Sequence, residues 1–391
     1  MDIICYRYGS ICEPDVIEGF QKLLLTVHEI KEEITNKNIS ASARVALVSE
    51  AIQTYHPLFV FSINFFPAIS DICHIYKIPY LCWTVDSPVL ELFSPSLLHN
   101  TNRIFLFDRA QYELYAPYNP NCIFHLPLAS AVERFDKTLK QATQQDYKRF
   151  QGDISFVGSL YSEKNPMRDI KELPPQVQGY IDAIMAASLK VYGYNFIEET
   201  LTDTVVESFK RADKNFYAPE QTIKNCDSYV VAHRYIGSQI AQTERINTLN
   251  TLAKHFSVNL YTRSDTTPLT GVHVHGGVAS LTQMPIIFSA SKINLNMTIK
   301  PIQTGLPLRI FDILGCGGFL MTNYQSEITD YFEIGVDLEA YSDLEELIDK
   351  CTYYLSHDDV RKQIAINGYN KVRNFHTYQK RLLAMLQCVT N

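Results

Sequence analysis

Residues 305–323 read GLPLRIFDILGCGGFLMTN. Leu306, Ile310, Ile313 and Leu314, spaced i, i+4, i+7 and i+8, describe the apolar face of a helix over 305–316, with Gly305, Arg309, Asp312 and Cys316 on the opposite stripe. The run KINLNM (292–297) upstream and GFLMT (318–322) downstream read as strands. The helix therefore joins two strands, and its N-terminus falls at the carboxyl edge of a sheet, where free amides and the macrodipole favour an anion. The amides of Gly305 and Leu306 lie at that end, Arg309 has a guanidinium that forks onto phosphate, and Asp312, one turn on, is able to accept from paired sugar hydroxyls. An i, i+3 ion pair on a solvated face accounts for the same two charges. The Gly-Cys-Gly-Gly at 315–318 follows the helix and precedes a strand, the reverse of a phosphate loop. Gly315 and Gly317 are therefore expected to end the helix in left-handed conformation.

Working outward, short apolar or aromatic runs alternate with helix-period segments, the pattern of wound α/β domains. The first half offers strands at 2–7, 58–63, 79–85, 103–107 and 122–126, separated by helices at about 15–36, 41–55, 67–76 and 108–115. The second offers strands at 153–158, 189–194, 257–262, 272–275, 292–297 and 318–322, and a helical tail from 343. The polar stretch 133–152 reads as the connection. The division is then 1–150 and 151–372, each Rossmann-like, with 373–391 as a final helix. Ligands of such sheets sit beyond the carboxyl ends of the strands, so two sheets offer a site in a cleft between them.

The chain has 391 residues, 46% of them apolar, and a formal charge of −7, which provides no electrostatic footprint for nucleic acid. No apolar run reaches the length of a membrane span, and the first residues, MDIICYRYGS, lack a signal-peptide pattern, so a cytoplasmic location is expected. Nine scattered cysteines, without C-x-x-C pairs, are expected to be reduced and core-packed.

GLPLRIFDILGCGGFLMTN, followed by DLEELIDKCTYYLSHDDVRKQIAINGYNKVRNFHTYQKRL, resembles the C-terminal half of GT-B glycosyltransferases of the CgeB-like (spore maturation protein) group, relatives of the family 4 glycosyltransferases. YLCWTVDSPVLEL is similar to the N-terminal domain that accompanies it. The resemblance implies two Rossmann-like domains facing a central cleft, a nucleotide-sugar donor held mainly by the C-terminal one, an acceptor held by the N-terminal one, and a last helix crossing back to the first domain. Family 4 enzymes place two glutamates eight positions apart; Asp312 matches the second, which contacts the ribose, whereas Thr304 stands at the first. FVGSLYSEKN (156–165) resembles the family's first donor loop, with Gly158, Ser159 and Lys164 toward the diphosphate; an ordinary β-turn explains it equally.

Other candidates end strands on the same edge. Asn296 alternates with apolar residues near the carboxyl end of a central strand, where an amide suggests polar work, while Asn294 fits structural hydrogen bonding. Tyr261 with Arg263, and Gly276-Gly277, could frame a base. His273 and His275 share a strand face but have no third ligand nearby, which argues against a metal site. In the first half, WTVDSP (83–88) holds Asp86 at a strand end, placed either as general base toward an acceptor hydroxyl or as a turn cap. Asn64 and Asp108 also follow strands, Asp108 as a helix N-cap.

The leading expectation is a hexosyl-type transferase using a nucleoside diphosphate sugar, UDP by default, with a protein or glycan acceptor. The chain contains no D-x-D, so no metal cofactor is expected. A nucleotide-sugar epimerase or hydrolase, and a catalytically silent nucleotide-sugar-binding partner protein, are the alternatives. Inversion and retention both stay open.

Overall fold

The computed structural model describes residues 1–217, 219 and 221–389. Within these, the chain forms two compact units: one built from Met1–Ala129 with returning segments around 221–224 and 375–389, the other from 130–217 and Asn225–Asn374. Each contains one six-stranded parallel sheet.

The first sheet comprises β1 (Asp2–Tyr6), β2 (Thr26–Ile30), β3 (Val60–Ile63), β4 (Tyr80–Trp83), β5 (Asn102–Leu106) and β6 (Ile123–His125), in the order β2-β1-β3-β4-β5-β6. The second comprises β7 (Gly152–Val157), β8 (Val258–Tyr261), β9 (His273–Val274), β10 (Ser291–Asn296), β11 (Leu320–Asn323) and β12 (Glu339–Tyr341), in the order β12-β11-β10-β7-β8-β9. In both, the chain winds outward in opposite directions from an adjacent pair, β1 with β3 and β7 with β10. These pairs are the topological switch points, where loops leave on opposite faces and open a crevice for a ligand.

The helices used below are α1 (Glu13–Lys22) and, in the second unit, α2 (Val132–Gln141), α3 (Gly237–Leu252), α4 (Met284–Ala290), α5 (Leu308–Gly315) and α6 (Leu344–Ser356); α7 (Tyr378–Gln387) closes the chain. The fully buried core of the second unit joins Ile154, Phe156, Ile293 and Leu295 of the sheet to Leu249 and Leu252 of α3 and Leu347 of α6. In the first unit α7 packs on α1, where a side chain at Gly19 would meet Leu382 Cδ1 at 2.5 Å. Arg103 Nε donates to the Cys388 carbonyl at 2.7 Å, so the last helix is fastened to the first sheet.

Several sequence expectations need correction. The helix expected over 15–36 stops at Lys22; Leu24 takes φ 63° and the chain turns into β2, an edge strand with exposed and half-buried positions that lacks the apolar signature of its neighbours. Residues 189–194 form no strand: Gly193 has φ 74° and the segment turns. The polar stretch 133–152 is not an open connection but α2 and a second helix, Gln144–Phe150, running into β7.

The opening stretch folds as helix then strand, but α5 starts at Leu308, leaving Gly305 and Leu306 in the loop before it. The stripe opposite its apolar face is not a solvated one: Asp312 and Cys316 are buried, because α2 and α4 pack there. The two glycines do different work. Gly317, at φ 69°, is the left-handed residue of a Schellman motif in which its own amide bonds Leu314 O at 3.0 Å and that of Gly318 bonds Ile313 O at 3.0 Å. Gly315 remains helical, and a Cβ there would run into the Ser130 hydroxyl and lie 3.2 Å from Phe135. Gly315→Ala is therefore expected to cost about 1–3 kcal/mol by overpacking, and Gly317→Ala about 1–2 kcal/mol by backbone strain; urea denaturation measures both.

Eight of the nine cysteines are buried and all are free thiols, and among the described residues no helix is long and apolar enough to cross a membrane.

Candidate active site

In the second unit most of the candidate residues gather at the carboxyl edge of one sheet. Gly158 and Ser159 leave β7, and the Gly158 amide bonds Tyr261 O at the end of β8 at 3.1 Å. The Ser159 hydroxyl is used locally: it donates to Glu163 at 2.6 Å and accepts the Tyr161 amide at 2.7 Å. Lys164 stands exposed on the turn that follows, its ammonium 5.7 Å from the Tyr161 ring centre. Tyr261 is buried and stacks on His275 at 4.8 Å, while His275 Nε2 pairs with Asn259 at 2.7 Å, which gives this histidine a structural partner. Gly277 lies against the Arg263 side chain.

Asn296 is buried at the end of β10, and its amide donates to Thr298 at 3.0 Å and Thr322 at 2.9 Å. Asn323 continues this ladder, accepting from the Thr298 amide at 2.7 Å. Thr304, where the family resemblance leads one to expect a glutamate, donates its hydroxyl to Glu327 at 2.7 Å, a carboxylate that is itself 1% exposed.

Two guanidiniums stand out electrostatically. Arg245, on α3, lies across the β7/β10 switch point: Nη1 donates to Ser159 O at 2.5 Å and Nη2 to Met297 O at 2.7 Å. Its Nε is buried without a hydrogen-bond partner among the described residues, and the charge lies 4.7 Å from the Tyr161 ring centre. Burial lowers its pKa against the pull of Tyr161 and Glu244, and it remains a cation at neutral pH. Arg309, 26% exposed, contacts Met284 Sδ, faces the Phe288 ring at 5.2 Å and pairs with Asp312 at 3.4 Å. Burial lowers its pKa too, against the pull of Asp312. A buried guanidinium across the β7/β10 switch point, with a second one on the helix that follows β10, favours an anion of high charge density, and a diphosphate has that chemistry. No motif revealed Arg245 in the sequence, since the carbonyls it ties lie 86 and 52 residues away.

Asp86 belongs to the other unit, at its own sheet edge. It is exposed after β4 and accepts from Asn64 Nδ2 at 2.6 Å. Asn64 follows β3 at φ 58°; the same amide nitrogen bonds the Tyr8 hydroxyl at 2.9 Å, and Oδ1 accepts the Val85 amide at 3.0 Å. Tyr8 follows β1, so three strand ends meet at the β1/β3 switch point. Burial, followed by the charge of Asp86, raises the Tyr8 pKa and keeps the phenol protonated. Asp108 caps its helix, accepting the Ala110 amide at 3.1 Å, as its sequence context suggested.

Residues 245–387 match the model of a family described as glycosyl transferase-like. No curated protein matches the chain. Among solved structures it is similar to a glycosyltransferase from Rickettsia africae ESF-5, at 11% identity and TM-score 0.53 over 100% of this chain and 97% of that one. Anabaena HepE in complex with UDP aligns at 11% identity and TM-score 0.53 over 99% of both chains. UDP-GlcNAc 2-epimerase from Neisseria meningitidis, bound to UDP-GlcNAc, aligns at 11% and 0.52 over 100% of both. Two parallel α/β sheets in these strand orders, matched from end to end, identify the fold of this chain as GT-B.

Proposed function

We propose that this protein is a glycosyltransferase that moves a sugar from a nucleoside diphosphate sugar, UDP being the base we favour, to an acceptor hydroxyl on a protein or surface glycan. Arg245, whose guanidinium bridges the loops leaving β7 and β10, carries this reading together with Arg309 on the helix after β10, because negative charge grows on the departing diphosphate and prearranged positive groups are usually the largest catalytic term. In this reading the amides of Gly305 and Leu306, with Lys164, add to that field and no metal takes part. Gly158 and Ser159 form the donor loop, Asp312 accepts from the ribose hydroxyls, and Tyr261, Gly277 and Asn296 border the base and sugar. Asp86 takes the acceptor proton, and within its own unit Asn64 holds it in place. The similarity of residues 305–390 to the CgeB-like group, relatives of the family 4 enzymes, supports this assignment.

A second reading, a nucleotide-sugar epimerase or hydrolase, has its own support in the likeness to a UDP-GlcNAc 2-epimerase. Incubation with a panel of nucleotide sugars, following free nucleoside diphosphate with and without acceptors, separates the two. Acceptor-dependent release is the expected result; acceptor-independent turnover favours the second reading, and binding without turnover makes the chain a silent partner.

Asp312→Ala is expected to weaken donor binding by roughly 1–3 kcal/mol, the scale of a lost charged hydrogen bond. Calorimetric titration with UDP on the folded variant tests this, and unaltered affinity would remove Asp312 from the donor site.

A further inference from the structure

The second unit contains a cavity of about 420 Å³ that takes in none of the residues assigned to the donor. Leu189, Tyr192 and Leu344 form apolar walls, and Glu244 and Thr248 of α3 provide polar groups. Glu244 is only 4% exposed, and its Oε1 is buried with no hydrogen-bond partner among the described residues. A buried acceptor left without a donor costs about 1–3 kcal/mol, which a hydrogen-bond-donating ligand would recover.

The surrounding charges narrow the ligand class. Lys300 and Arg245 already act on Glu244, so an incoming cation gains little there. Asp343 and Glu345 at the lining, against the single Lys190, oppose an anion. With cations already beside Glu244 and carboxylates at the rim, neither sign of charge is favoured and an uncharged occupant fits best. A volume of this size lies in the range of ligand pockets, where a few polar groups orient a ligand held mostly by apolar walls. We propose that this cavity binds a neutral, hydroxylated ligand of monosaccharide size, with hydroxyls on Glu244 and Thr248 and its C–H face against Tyr192 and the two leucines.

Calorimetric titration of the full chain with methyl α-glucopyranoside, methyl β-galactopyranoside and N-acetylglucosamine tests the assignment, with spermidine and inorganic phosphate as charged probes. At least one sugar is expected to bind with a dissociation constant below roughly 10 mM. In Glu244→Leu and Thr248→Val, each checked for folding by circular dichroism, that constant should rise about tenfold or more. Thr248→Val decides the matter if Glu244→Leu does not fold. In Asp312→Ala the constant should not change. The proposal is overturned if no sugar binds at about 50 mM, if binding persists in the folded cavity variants, if Asp312→Ala abolishes it, or if spermidine binds in a Glu244-dependent way.

Discussion

Asp86→Asn is expected to lower kcat by about 10²–10⁴-fold, the usual contribution of a positioned general base, while leaving donor affinity unchanged. The substitution is nearly isosteric, and the amide oxygen of the new side chain still accepts from Asn64 Nδ2, which bonds the native carboxylate at 2.6 Å. Asn64 keeps its other bonds, to the Tyr8 hydroxyl and the Val85 amide, so the loop ends at the β1/β3 switch point stay in place. What disappears is the carboxylate's basicity and its negative charge. Donor affinity should hold, because the residues assigned to the donor all lie in the other unit. Steady-state rates, paired with calorimetric titration of UDP, give the two readouts. Near-normal turnover would reduce Asp86 to a partner of Asn64. A collapsed kcat accompanied by an inverted product anomer, read by NMR, would give Asp86 the base role in an in-line displacement.

The arrangement of the sheets was readable to the extent that burial wrote itself into composition. β3, β4, β7 and β10 are central strands, covered on both faces, and their runs are apolar or aromatic wherever they pack. β2 and β12 escaped because one is an edge strand with exposed polar positions and the other is three residues long. LKVYGYN at 189–195 has strand-like composition but no neighbouring strand to pair with; its Val191 carbonyl receives the Lys300 ammonium instead. Periodicity found α5 but misjudged its polar stripe. A helix packed on two sides still shows one clean apolar face when the second contact is made by Asp312, Cys316 and a glycine.

The placement of candidate residues was legible where it follows from a strand's end, as with Asp86, Gly158 and Asn64. It was not legible where the role depends on partners far along the chain. Ser159 reads as a free hydroxyl in sequence, yet Glu163, four residues on, takes it. Arg245 sits in AQTERINTLN, an ordinary amphipathic stretch, and only the folded sheet brings the two carbonyls to its guanidinium.

Arg245→Lys should therefore separate charge from geometry. A lysine keeps the positive charge behind the donor loop, but one ammonium on a flexible stem does not reproduce a planar fork spanning Ser159 O and Met297 O. The loops leaving β7 and β10 then lose their common tie, and UDP affinity is expected to fall about 10–100-fold, the scale of one or two charge-assisted hydrogen bonds. The fold should survive, since Glu244 keeps a cation beside it along with Lys300. Arg245→Met goes further: it leaves the Ser159 and Met297 carbonyls without their donor, and a loss of about 2–4 kcal/mol in unfolding free energy is expected. Thermal unfolding reads the stability of both variants, and calorimetry reads UDP binding of Arg245→Lys. A folded Arg245→Lys protein with native affinity for UDP would show that the charge alone matters, and that the bridge across the β7/β10 switch point serves the scaffold and not the donor.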